Sequence, residues 1–175
     1  MSGERMIVLF SERKSKLEKE IIEILKKSGA NYISDKAILG KSGKFTIISE
    51  YKECEIKLKK GIAVFCDDTE RFKNQILPKG FVGICQDNNK NALNILKQNG
   101  IPVITCGTNH KNTVTISSIN KENIFICIQR SINNFKKQEI EPTELKIISK
   151  KSYNPFSLTA AATVLLLKGI YPKAL

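Results

Sequence analysis

The groups in this 175-residue chain able to do chemistry are a single histidine, short clusters of carboxylates and amides, and five thiols. The polar clusters sit where apolar runs end. Ser11 follows MIVLF, Asp67-Asp68 follow IAVFC, Asp87-Asn88 follow FVGIC, and Asn109-His110 lie just beyond PVITCG. Two acidic strand ends could hold a metal ion or a ribose, and a histidine at the same edge could serve as a general base. The same residue types also cap helices and form turns, which is their ordinary use at such positions. A general base needs a partner to orient it and a substrate to act on, and neither can be read for His110 from the sequence.

The thiols point elsewhere. Cys54, Cys66, Cys85, Cys106 and Cys127 form no CxxC pair. Four of them lie within apolar runs (IAVFC, FVGIC, PVITC and IFICI), where a free cysteine behaves as a small core residue. Cys106 stands four residues before His110, yet its apolar run argues for burial over nucleophilic use. One histidine and unclustered thiols supply no zinc set, so neither a metal nor another cofactor is expected. GKSGKFT, Gly40 to Thr46, has the look of a phosphate loop. However, Ile38 stands where the first glycine belongs, Phe45 replaces the magnesium-binding hydroxyl, and β formers follow. It is expected to be a turn.

These residues need a scaffold, and its periodicities are legible. MIVLF, IAVFC and FVGIC read as strands apolar on both faces, as in a parallel sheet covered by helices. Ser15 and Glu18 make a capping box, after which Leu17, Ile21, Ile24 and Leu25 share a helical face, and Gly29 ends the helix. Asp87 or Asn88 is expected to cap a second helix running to Gln98 and closed by Gly100. FTIIS and the alternating EIKLK (Glu55 to Lys59) read as strands, expected as a hairpin at the sheet edge. TVTISS and NIFICIQ are separated by a short polar loop and should pair antiparallel, with ELKII a further strand. Asn154 as cap, Pro155 in the first turn and Gly169 beyond the end frame a last helix, apolar on nearly every side and therefore buried. The fold expected is one three-layer α/β domain, a mainly parallel Rossmann-like sheet with an antiparallel extension.

Composition narrows the partners. Charged residues make up 26% and apolar residues 41% of the chain, ordinary for a globular protein. No apolar run approaches the roughly 20 residues needed to span a bilayer. The amino terminus lacks a signal-peptide cleavage pattern, so a cytoplasmic protein without a membrane partner is expected. The net charge of +12 invites a nucleic-acid reading. Only four of the 29 basic residues are arginines, however, and the lysines are scattered, not gathered in a stripe. Nucleic-acid binding is therefore the weaker reading.

The order of elements, with NALNILKQNGIPVITCG in the middle and YNPFSLTAAATVLLLKGI near the end, resembles the central ATP-binding domain of the Mur ligases. Those enzymes add amino acids to the peptidoglycan precursor. The closing segment is the most specific match. Against a family pattern near HNxxNxxAAxAxAxxLGI it offers Asn154, Ala160, Ala161 and Gly169-Ile170, with Tyr153 in place of the histidine and Ser157 in place of the second asparagine. The family's GTxGKT[ST] loop should fall between the first strand and helix, where this chain reads SERKSK. The resemblance puts Lys14 and Ser15 at its lysine and hydroxyl positions. The missing glycines, and Glu12 nearby, imply a loop unable to wrap a triphosphate.

The flanking domains of the ligases are absent from this sequence. The resemblance thus implies a degenerate relative, a non-catalytic binding or regulatory protein with a tie to cell-wall precursor metabolism. Its partner would be a small molecule or a protein, with homo-oligomerisation open. The candidate ligand-binding residues are Lys14, Ser15, Asp67, Asp68, Asp87, Asn88, Asn109, His110 and Asn154. Two other readings stand beside it: an enzyme using the pocket of Asp67, Asp68, Asp87 and His110, and a basic nucleic-acid-binding protein.

Overall fold

A computed structural model describes residues 6–40, 43–149 and 151–174. Twelve strands and three α-helices are formed among them. In order they are β1 (Met6–Phe10), α1 (Lys16–Lys27), β2 (Ala30–Ile33), β3 (Ile38–Leu39), β4 (Phe45–Glu50), β5 (Gly61–Phe65), β6 (Phe81–Cys85), α2 (Lys90–Gln98), β7 (Val103–Gly107), β8 (Val114–Ile119), β9 (Asn123–Ile128), β10 (Ile132–Asn133), β11 (Glu139–Ile140), β12 (Thr143–Ile148) and α3 (Pro155–Leu167). A 3₁₀ turn, Glu70–Phe72, follows β5.

Ten strands form one sheet in the order β12-β9-β8-β7-β6-β5-β1-β4-β2-β3, and β10 pairs with β11 apart from it. From β2 through β8 neighbouring strands are parallel, while β3 and β9 turn antiparallel at the two margins and β12 runs antiparallel to β9. The expected architecture holds: a mainly parallel α/β sheet with an antiparallel extension.

Alternation along the central strands builds two cores, one on each face. Ile7, Leu9, Ile62 and Val64 face α1 and α3. Val8, Phe10, Ala63 and Phe65 face the other way, towards α2 and the 3₁₀ turn. On that second face Phe10 stacks on Phe65 at 4.8 Å, and Phe72 meets Phe10 edge-on at 5.1 Å. This packing fixes the loop that follows β5.

The helix ends obey their local signals. Ser15 Oγ accepts the N–H of Glu18 at 3.3 Å, and Gly29 closes α1 at φ +89°, where a side chain would be strained. α3 is buried at every position from Phe156 to Leu167, as its all-round apolarity requires. No helix among the described residues is long and apolar enough to cross a membrane.

Several expectations need correction. Glu55 to Lys59 pairs with no strand, because β4 already lies between β1 and β2 and offers no edge. Its alternation is nonetheless real: Ile56 and Leu58 pack on the second core, and just before the segment the Gln75 side chain bonds the N–H and C=O of Cys54 at 2.9 Å each. The α2 cap is Asn89, not Asp87 or Asn88; its side chain accepts the N–H of Ala92 at 2.9 Å. Cys127 is half-buried, not buried, because it lies on the open side of β9. β2, β3 and the β10–β11 hairpin arise where the sequence shows no clear period. Of the Gly40–Thr46 segment, Lys41 and Ser42 lie outside the described residues, and Phe45 and Thr46 begin β4.

Candidate functional site

β1, β5, β6 and β7 run side by side and parallel, so their carboxyl ends share one edge of the sheet, the usual place for a ligand in open α/β folds. The acids and amides that follow these strands in the sequence do gather there, and Asp67, Asp68, Asp87 and Asn109 are each hydrogen-bonded.

Asp67 is the hub. Its carboxylate accepts the Glu12 N–H at 2.9 Å and the Ser15 hydroxyl at 3.1 Å, and its carbonyl accepts Asn89 Nδ2 at 3.1 Å. The turn after β1 is thereby pinned to the end of β5 and the start of α2. Asp68 accepts the Asn91 backbone N–H at 3.1 Å and Nδ2 at 2.8 Å, and Asp87 accepts Asn109 Nδ2 at 2.8 Å. Asn109 Oδ1 in turn accepts the Lys111 N–H. Asn88 and His110 are exposed. No three histidine, cysteine, aspartate or glutamate side chains among the described residues are arranged to hold a metal ion.

The turn itself is tight. The Ser15 N–H bonds to the Glu12 carbonyl at 3.1 Å, and Lys14, exposed, takes φ +70° at the third position. Glycine is the usual occupant of that left-handed position. The Glu12 and Ser15 amides are already engaged, on the Asp67 carboxylate and the Glu12 carbonyl, so neither is available to an anion.

Beneath this turn lies a buried acid. Glu18 is only 3% exposed and is aimed from α1 at the ends of β1 and β4. Burial raises its pKa above the usual carboxylate range; the Ser49, Ser11 and Tyr51 hydroxyls oppose the rise, and the Asp67 charge adds to it. Neither Ser11 Oγ, Ser49 Oγ nor Glu18 Oε1 completes a well-formed hydrogen bond.

Beside the turn, on the β4 and β2 side, a cleft of about 580 Å³ opens at the same edge. Arg13 of the turn, Ser34 and Asp35 after β2, Ser49 to Lys52 at the end of β4, and Arg71 of the 3₁₀ turn line it. Arg13 pairs with Asp35 at 3.0 Å and lies over the Tyr51 ring at 5.2 Å. Burial raises the Glu50 pKa, with Lys52 lowering it and Asp35 adding to the rise. Sequence reasoning missed this cleft: Arg13 and Arg71 lie far apart in the chain, and the only signal was that arginines are scarce.

Asn154 sits away from the edge. Its side chain caps α3 by accepting the Phe156 N–H at 2.9 Å, and its own N–H donates to Glu20 Oε2 at 2.8 Å. Tyr153 donates to Glu23 Oε1 and accepts from Lys27 Nζ, while the Ser157 hydroxyl reaches the Leu17 carbonyl at 3.4 Å. The segment that resembled the ligase motif thus clamps α3 to α1.

No known protein-family profile matches the chain, and no curated protein matches it in sequence. Solved structures do. The UDP-N-acetylmuramoylalanyl-D-glutamyl-2,6-diaminopimelate–D-alanyl-D-alanyl ligase from Acinetobacter baumannii aligns at 12% identity with a TM-score of 0.57, over 95% of this chain and 43% of that one. The MurF ligase from Thermotoga maritima, solved in complex with ADP, aligns at 8% identity with a TM-score of 0.55, over 98% of this chain and 47% of that one. The likeness establishes a Mur-ligase-like fold. This chain spans less than half the length of either structure.

Proposed function

We propose that this chain is a non-catalytic binding or regulatory domain on a Mur-ligase-like scaffold, tied to cell-wall precursor metabolism through that likeness. The observation that carries the reading is the Asp67 carboxylate. It holds the Glu12 amide and the Ser15 hydroxyl, two groups a phosphate would otherwise have to engage in the turn after β1. A negative side chain at that point repels a polyphosphate and occupies its donors. Lys14 and Ser15 stand where the resemblance puts the lysine and hydroxyl of a phosphate loop, but Ser15 is spent on capping α1 and on Asp67.

The Thermotoga ligase was solved with ADP. For the present chain the reading requires that nucleotide does not engage this turn. Thermal unfolding with and without ATP and magnesium tests it, since a ligand that binds the native state raises the midpoint. No Lys14-dependent shift is expected at millimolar nucleotide. A clear magnesium-dependent rise that vanishes in Lys14→Ala overturns the reading.

A further inference from the structure

The cleft beside the turn has a chemistry of its own. Only four arginines occur in the chain, and two of them, Arg13 and Arg71, line this one cleft from different loops. Lys52 adds a third cation, against the carboxylates of Asp35 and Glu50. Arg13 is held in place by Asp35 and by the Tyr51 ring. Arg71 is exposed and makes no ion pair among the described residues. Such an arrangement leaves one guanidinium fixed and one available, and guanidinium forks match the paired oxygens of carboxylate and phosphate.

The floor supplies an independent sign. Ser49 lines the cleft, is 4% exposed, and its hydroxyl, which also faces the Glu18 carboxyl, lacks a well-formed hydrogen bond. A buried polar atom without a completed bond costs stability unless something satisfies it. A volume of about 580 Å³ is also in the range of small-molecule sites.

We infer that this cleft binds a small organic anion, its carboxylate or phosphate head group clasped between Arg71 and Arg13 with the Ser49 hydroxyl beneath. The inference rests on the binding-domain reading and gives that domain a ligand class. The site lies on the β4 and β2 side of the Glu12–Ser15 turn, so it does not require the turn to open.

Titration of the ¹⁵N-labelled protein with inorganic phosphate and, separately, with glutarate at constant ionic strength tests it. Saturable shifts in Ser34, Ser49 and Tyr51 are expected with at least one probe, and whichever saturates names the head group. Arg71→Ala should weaken that binding about tenfold or more, Arg71→Lys should recover part of it, and Lys97→Ala, on the exposed side of α2, should change it less than about twofold. Failure of both probes to saturate by roughly 10 mM overturns the inference, as does equal weakening by Lys97→Ala, which would mean nonspecific attraction to a basic protein. The two readings fail separately. Magnesium-dependent ATP binding that survives Arg71→Ala would sink the closed-turn reading alone, whereas silent phosphate and glutarate titrations with ATP equally silent would sink this one alone.

Discussion

The backbone N–H of Glu12 ends on the carboxylate of Asp67 at 2.9 Å, joining the turn after β1 to the end of β5. With the Ser15 hydroxyl as a second donor, this contact holds the turn shut. Asp67→Ala should cost about 1–2 kcal/mol, because a charge-assisted bond and its neighbour are lost at a site only partly shielded from water. Urea unfolding should show a lower midpoint with an unchanged slope. A midpoint equal to wild type would mean the turn holds its shape without Asp67.

Lys14 occupies a left-handed position at φ +70°. Lys14→Gly removes that strain at the cost of extra freedom in the unfolded chain, and a net gain of about 0.5–1 kcal/mol is expected. Denaturant unfolding reads it. A loss of stability would show that the lysine side chain contributes more than its backbone costs.

Glu18 gives a pH signature. Its carboxyl titrates higher in the folded protein than in the unfolded chain, burial being the main cause. Between the two pKa values the native state holds the additional proton, so stability falls as pH rises through that interval and stays reduced above it. Glu18→Gln carries no such penalty. It should be more stable than wild type at about pH 8, with the gap closing as acid protonates Glu18 in wild type. Equal pH profiles would contradict this.

Gly83 in β6 has no room for a methyl group: a Cβ there would meet Leu96 Cδ2 at 2.3 Å. Gly83→Ala should destabilise by about 1–3 kcal/mol through overpacking, and Leu96→Ala alone by about 2–5 kcal/mol through a cavity. The double variant should lose less than the sum, since the new methyl partly fills the space Leu96 vacates. Additive losses measured by calorimetry would rule out that contact as the cause.

Thiol labelling separates the cysteines. Burial raises Cys66 well above its ordinary value and pushes Cys85 and Cys106 up to about 12. Cys54, half-buried, is pushed up to about 11. A disulfide reagent at neutral pH should modify Cys127 first and leave Cys66, Cys85 and Cys106 intact until denaturant is added. Rapid native labelling at Cys106 would refute the buried-core assignment.

What could be read from the sequence follows from how local each signal is. β1, β5 and β6 are continuous apolar runs, and the Ser15 and Asn154 caps with Gly29 and Gly169 are short-range patterns, so these elements appear where expected. β2 is a four-residue strand, half-buried at three positions, and its identity as a strand depends on β4 beside it. Glu55 to Lys59 has the period of a strand but no free edge to join. At the site, the acids and amides were visible because each follows its own strand. The arginine cleft was not, because Arg13, Tyr51 and Arg71 come together only once β1, β4 and β5 lie in one sheet.

The burial of α3 also sets an order of events during synthesis. This helix is made after every large-sheet strand and packs on β7, β8 and α1. Until a ribosome has released it, Ile104, Cys106, Val114 and Ile126 lack the cover this helix gives that side of the sheet. The nascent chain therefore passes through a stage with a wide sticky surface, when a chaperone would be most useful and premature self-association most dangerous.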